Sequence, residues 1–226
     1  LILGGCGPMG LGAIEYPMAL EKKPAMIVVT DLSNERIARA RQLFPESLAA
    51  ARGIRLVYVN PGECQDEFAH LMGLTGGKGY DDIFVYNAIR SLVEMGDRLL
   101  GYDGCMNFFS GPTDKNFTAS VNLYNCHYAS THILGTTGGN TDDLKESIRL
   151  AAEGKLHPAV MVTHVGGLDA VVETTRNLPQ IPGGKKLTYT QFDMPLTAIE
   201  DFREKGKEDP LFARLADCCD AHNGLW

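Results

Sequence analysis

The chain has 226 residues, 44% of them hydrophobic and 22% charged, and a net charge of −7. That length accommodates one large domain or one and a half, with enough apolar residues for a real core. An acidic balance with no Lys/Arg block argues against nucleic acid or an anionic membrane surface as partner. No apolar run reaches a membrane span, and the start lacks the pattern of a signal peptide.

Leu1-Ile2-Leu3 reads as the end of a buried strand, with no Met before it. The expectation is that residues, up to a whole domain, precede it. A helix is expected from Pro8 to about Lys22, because proline suits a first helical turn, where its missing N–H would lack a partner. Ala25 to Thr30 (AMIVVT) is a continuous apolar run, as in a parallel strand buried on both faces. Ser33 is a candidate cap. Ile37, Ala40 and Phe44 follow at helical spacing, and Pro45 stops the pattern.

Ile54 to Val59 is expected as the third strand, Glu63 to Met72 as helix, and Asp82 to Tyr86 as the fourth strand. A shorter helix is expected over Asn87 to Gly96, a fifth strand over Gly104 to Phe109 and a sixth over Thr131 to Leu134. Strands alternating with helices imply a parallel sheet with right-handed crossovers. The fold class predicted is α/β, a doubly wound six-stranded sheet over residues 1–137, followed by a different segment over 138–226. In that segment Asn140 and Asp143 form a box-like cap, and Leu144, Ile148 and Ala151 an apolar helix face ended by Gly154. Ala159 to Val162 and Lys186 to Thr190 read as strands, Leu168 to Asn177 as helix, and the tail from Ile199 as partly helical.

Six cysteines, Cys6, Cys64, Cys105, Cys126, Cys218 and Cys219, form no C-x-x-C pair. They read as free thiols of a reducing compartment, so the expected location is cytoplasmic.

The chemistry centres on Gly5-x-Gly7-x-x-Gly10, placed between a strand and a helix. There the first glycine allows a tight turn, the second lets backbone approach a pyrophosphate, and the third lets helix and strand pack closely. The helix that Pro8 and Met9 open offers free N–H groups at its N-terminus, none of them from the proline, and a positive dipole end. Asp31 stands 21 residues past Gly10 at the end of the next strand, placed to bond ribose hydroxyls. These features predict a dinucleotide site for NAD or NADP. A carboxylate at Asp31 favours NAD, while Arg36 is placed to stack near adenine or to tolerate a 2′-phosphate. The nicotinamide is expected over the later strand ends, where Asn87, Ser110, Gly111, Thr136 and Thr137 are candidates.

Other tempting residues read as structural. His127, His132 and His157 lack acidic or Cys partners at ligand spacing, and His164 reads as a strand-end residue. Asp81-Asp82 and Asp142-Asp143 start elements, where carboxylates serve caps and dipoles. Cys6 reads as a small residue in the turn.

The segments LILGGCGPMGLGAIEY, VVTDLSNERIARA, GYDDIFVYNA and GCMNFFSGP resemble the coenzyme domain of zinc-type medium-chain alcohol/polyol dehydrogenases. HYASTHILGTTGGNTDDLKESI and THVGGLDAVVETTRNLPQIPGGKKLTYT extend the resemblance to about residue 200. It implies reversible hydride transfer between NAD(P)H and a ketose phosphate, giving a hexitol phosphate. It also implies a catalytic zinc, acting as Lewis acid, held in an N-terminal domain with no matching segment here. No catalytic residue is therefore carried onto this chain, and residues 138–226 are expected to be the C-terminal part of the catalytic domain. The resemblance further implies a homo-oligomer, a dimer paired through the sixth strand, around His127 to Leu134.

Two other readings compete. One is a nucleotide-sensing module without chemistry. The other is a methyltransferase, but that class carries an acidic residue just before its glycines, where this chain has Leu3-Gly4.

Overall fold

A computed structural model describes residues 1–226 and divides them into two compact units, Leu1–Leu156 and His157–Trp226. The division of contacts thus falls later in the chain than residue 137.

The first unit is a six-stranded parallel sheet in the order β3-β2-β1-β4-β5-β6. Its strands are β1 (Ile2–Leu3), β2 (Met26–Thr30), β3 (Arg55–Val59), β4 (Tyr80–Val85), β5 (Leu100–Phe108) and β6 (His132–Gly135). The interleaved helices are α1 (Pro8–Ala19), α2 (Asn34–Leu43), α3 (Glu46–Ala51), α4 (Glu67–Leu74), α5 (Arg90–Leu99), α6 (Leu123–Tyr128) and α7 (Thr141–Ala152). From β1 the chain winds outward through β2 and β3, then returns to the other side of β1 for β4, β5 and β6. This is the doubly wound order, with its switch point between β1 and β4.

The apolar runs go where their character dictates. Leu3, Val28, Val29, Ile83, Val85 and Met106 are all within 1% of full burial. Gly96 of α5 brings that helix down on the sheet. A Cβ there would meet the Met106 sulfur at 2.6 Å.

Local capping sets the helix starts, and it moves several of them from their expected places. Ser33 accepts the Arg36 N–H and starts α2 as expected. The fourth helix begins at Glu67 rather than Glu63, because Asp66 accepts the Ala69 N–H at 2.9 Å. Pro45 ends one helix and also starts another, α3, which periodicity alone does not reveal. His127 belongs to α6 and not to the sixth strand: Asn122 Oδ1 accepts from Tyr124 and Asn125 and nucleates that short helix. Asn140 and Asp143 close the reciprocal box on α7, but Leu144 and Ile148 of its apolar face are 60% and 61% exposed.

The second unit has a three-stranded sheet, β7 (Val162–Gly167), β8 (Lys185–Tyr189) and β9 (Thr197–Ala198), in the order β8-β7-β9. Its helices are α8 (Val171–Asn177), α9 (Phe202–Lys205) and α10 (Pro210–Ala221). Of Ala159 to Val162, expected as strand, only Val162 belongs to one; Pro158–Met161 form a 3₁₀ turn, since Pro158 favours a helical start. Val165, Met194, Phe202, Phe212, Ala216 and Cys219 make this unit's core. The Trp226 indole N–H donates to the Tyr189 hydroxyl at 2.8 Å.

One buried charge stands out in the first unit. Asp97 of α5 is only 3% exposed, and its Oδ2 accepts the Asn122 N–H at 2.9 Å. Its Oδ1 has no partner. Glu94, one turn earlier, accepts the Ser120 N–H at 3.0 Å. The two carboxylates fasten the irregular crossover after β5 along the side of α5. Replacing Asp97 with Leu strands the Asn122 N–H, a loss of about 1–3 kcal/mol, whereas Asp97→Asn keeps an acceptor. Urea unfolding is expected to show a clearly lower midpoint for Asp97→Leu than for Asp97→Asn.

Candidate functional site

The candidate cofactor-binding residues all follow carboxyl ends of strands in the first sheet, in the turns or the first helical turns beyond them. Gly5, Gly7, Pro8, Met9 and Gly10 join β1 to α1, and Asp31 and Arg36 follow β2. Asn87 follows β4, Ser110 and Gly111 follow β5, and Thr136 and Thr137 follow β6.

The glycine turn works by three different means. Gly10 is held by contact: an added Cβ would lie 2.0 Å from the Gly5 carbonyl oxygen, so α1 rests directly on the backbone of the turn. Gly5 is pressed between the side chains of Ile2 and Val29, which an added Cβ would meet at 2.6 and 2.8 Å. The left-handed residue of the turn is Gly4, at φ +67°, which the motif reading passes over in favour of Gly5. The Asn87 amide packs over it, so close that a Cβ on Gly4 would overlap the amide nitrogen at 2.1 Å. Gly7 is the opposite case. Its backbone is extended, at φ −80° and ψ 176°, and an added Cβ would meet nothing within 4 Å. The space above Gly7 is open, at the start of a 12-residue helix whose first N–H groups have no side-chain cap.

Asp31 is joined to this turn. It is 8% exposed; Oδ2 accepts the Cys6 N–H at 3.2 Å and Oδ1 the Ser33 N–H at 3.0 Å. Both oxygens are thereby aimed, and each retains a further lone pair. The same carboxylate, after burial itself, pushes the Cys6 thiol up to about 12, so the thiol stays protonated and inert at neutral pH. Beside Asp31, Leu32 is 72% exposed. Arg36 is exposed on the first turn of α2.

Across the switch point, the Ser110 hydroxyl donates to the Val85 carbonyl at 3.0 Å, tying the end of β5 to that of β4. Tyr86 and Phe109, one residue beyond β4 and β5, meet edge to face at 5.7 Å. Burial pushes the Tyr86 hydroxyl above its usual range. Thr136 donates to Asn107 Oδ1 at 3.1 Å. Gly111, Thr136 and Thr137 are exposed. Sequence reasoning missed Gly4, Tyr86, Asn107 and Phe109. The signals were there: a glycine pair, one amide inside an apolar strand, and aromatics at strand ends.

The histidines behave mostly as ordinary residues. His164 Nδ1 lies 2.9 Å from the Thr163 hydroxyl, and burial and Lys186 hold its pKa below the usual range. His132 does have an acidic partner, Asp103, at 3.2 Å, brought to it by the register of β5 and β6. No three His, Cys, Asp or Glu side chains stand in a group able to hold a metal ion. The residues of this chain therefore do not fit a zinc site. No helix is long and apolar enough to cross a membrane.

This fold and turn define a dinucleotide-type α/β sheet, and comparison gives the family. The family model for zinc-binding dehydrogenases matches residues 8–153. The chain belongs to the zinc-binding dehydrogenase family. It is 56% identical to the uncharacterised protein YggP of Escherichia coli (strain K12), over all of this chain and 53% of that protein. It is 49% identical to mannitol-1-phosphate 5-dehydrogenase of Aliivibrio fischeri (strain ATCC 700601 / ES114), over all of this chain and 53% of that enzyme. It is 42% identical to L-sorbose 1-phosphate reductase of Klebsiella pneumoniae, over all of this chain and 52% of that enzyme. The chain thus spans about half the length of the curated relatives it matches. The crystal structure of 2R,3R-butanediol dehydrogenase from Bacillus subtilis shares the fold, with a TM-score of 0.68 and 22% identity over 84% of this chain and 50% of that one.

The open space at Gly7 and the contact at Gly10 separate two roles. Gly10→Ala is expected to lower stability by about 1–3 kcal/mol through overpacking against backbone. Gly7→Ala is expected to leave the thermal midpoint unchanged while weakening binding of a dinucleotide probe, NADH, at least tenfold. Calorimetric melts and NADH titration of the two variants check both.

Proposed function

We infer that this chain is the coenzyme-binding part of an NAD(P)-dependent polyol-type dehydrogenase, and that its cofactor is NAD in preference to NADP. The observation that carries the reading is the uncapped start of α1 with open space at Gly7 and a twice-anchored carboxylate at Asp31. Backbone N–H groups at Met9 and Gly10, just past the donor-less Pro8, fit a pyrophosphate, and the glycine surface lets it approach. Asp31, its oxygens fixed by Cys6 and Ser33, fits a ribose diol and repels a 2′-phosphate. Arg36 flanks the adenosine end. Asn87, Ser110, Gly111, Thr136 and Thr137 border the nicotinamide end.

The bound dinucleotide supplies the hydride. The chain's own residues bind and orient it: the turn fixes the phosphates, Asp31 the adenosine ribose, and the β4 and β5 ends the far half. The names of the relatives, a hexitol-phosphate dehydrogenase and a ketose-phosphate reductase, support reversible reduction of a ketose phosphate to a hexitol phosphate as the reaction of the whole protein. Its zinc would be held by residues outside these 226. Residues 138–226 would complete the catalytic domain, and the location would be cytoplasmic.

Titration of the 226-residue chain with NADH is expected to show binding, weakened tenfold or more in Asp31→Ala, which loses charge-assisted bonds of about 1.5–3 kcal/mol. NADPH is expected to bind the wild type less tightly than NADH. Absence of NADH binding to the wild type would sink the reading.

We also infer a homodimer through β6. That strand lies at the sheet edge, with Ile133 38% and Leu134 53% exposed, and Leu123, Tyr124 and Tyr128 of α6 are 64–72% exposed. An open apolar edge invites pairing with a second copy. Leu134→Lys is expected to convert the dimer to a monomer with unchanged circular dichroism, as read by sedimentation. A wild type that sediments as a monomer at all concentrations removes the dimer from the proposal.

A further inference from the structure

We propose that Tyr86 and Phe109 form an aromatic shelf that receives the nicotinamide ring and binds its oxidised, cationic form more tightly than its reduced form. The proposal rests on the dinucleotide reading above and goes beyond it by assigning two residues and a redox preference.

The placement comes first. β4 and β5 lie on the side of β1 away from β2. A dinucleotide whose adenosine ribose meets Asp31 after β2 must send its other half over the ends of β4 and β5. Tyr86 and Phe109 are the residues that end those strands. Each is fixed through its backbone. The Tyr86 N–H donates to the Leu3 carbonyl at 3.2 Å, and the Phe109 N–H donates to the Val85 carbonyl at 3.2 Å. The sheet ladder thus continues one residue past the strand ends and leaves both aromatics on rigid backbone.

The rings are then fixed to each other. They meet at 5.7 Å between centroids and 64° between planes, an edge-to-face pair. Both side chains remain only half-buried. Two large rings locked together and half open to solvent, at the point where a planar heterocycle would lie, suit stacking. The chemistry of the ring sets the preference. An aromatic face carries negative potential and attracts a cation. The nicotinamide of NAD⁺ carries a ring positive charge, and that of NADH is neutral. Stacking on this pair therefore favours NAD⁺ over NADH.

The test compares three probes, NAD⁺, NADH and ADP-ribose, on wild type, Tyr86→Leu, Phe109→Leu and Tyr86→Phe, with melts to confirm folding. ADP-ribose lacks only the nicotinamide ring and reports the rest of the site. In the two leucine variants NAD⁺ affinity is expected to fall about tenfold, NADH affinity to fall less, and ADP-ribose affinity to stay. Tyr86→Phe is expected to keep wild-type affinities, because the ring and not the hydroxyl acts. Unchanged NAD⁺ and NADH affinities in both leucine variants overturn the shelf. So does an equal loss for all three probes, which marks a role in the fold alone. If the wild type binds ADP-ribose but the variants show no NAD⁺ preference change, the shelf fails and the dinucleotide reading stands. If the wild type binds none of the three, both fail.

Discussion

The first unit depends on one close approach, the contact of Gly10 with the Gly5 carbonyl. With no Cβ on either residue, α1 begins directly against the backbone that leaves β1. Any side chain at Gly10 would occupy the turn's own backbone. This contact fixes where α1 starts and how it lies on the sheet. It leaves the start of α1 uncapped beneath open space at Gly7. A tight packing constraint and an open surface thus stand three residues apart in one turn.

Around that contact, carboxylates and amides are used to hold backbone. Asp31 ties the turn to the end of β2, Asp97 ties α5 to the start of α6, and Asp66 and the Asn140–Asp143 pair set helix starts. The exchange is favourable where an oxygen meets a backbone N–H that would otherwise go unpaired. Asp97 is the costly member, with one buried oxygen left without a partner. Its return is a fixed start for α6, and through α6 a fixed approach to the edge strand.

Much of this was legible in the chain. The alternation of apolar runs with helical stretches gave six strands and their parallel sense. Gly5, Gly7, Gly10 and Asp31 announced a turn and a strand end. Misreadings came where local capping competes with periodicity. Pro45 breaks one helix while beginning another, Asn122 converts His127 from strand to helix, and Pro158 turns an apolar run into a 3₁₀ turn. Each depends on a side chain finding a particular N–H or a fixed φ, and hydrophobic spacing does not register that. The second unit was least legible, because its core draws on Val165, Met194, Phe202 and Phe212, residues too far apart for any period to link.

The sequence by itself determined the fold class and the identity of the turn, because both rest on short-range rules: side-chain periodicity, proline and glycine stereochemistry, and the spacing of one carboxylate. Only the tertiary structure decided the rest. It placed the left-handed residue at Gly4 under the Asn87 amide and aimed Asp31 by two N–H groups from different segments. It paired His132 with Asp103 and set Tyr86 against Phe109. Apart from the local Ser33–Asp31 bond, each of these joins residues about 20 or more positions apart, brought together by strand register, and register is a property of the assembled sheet.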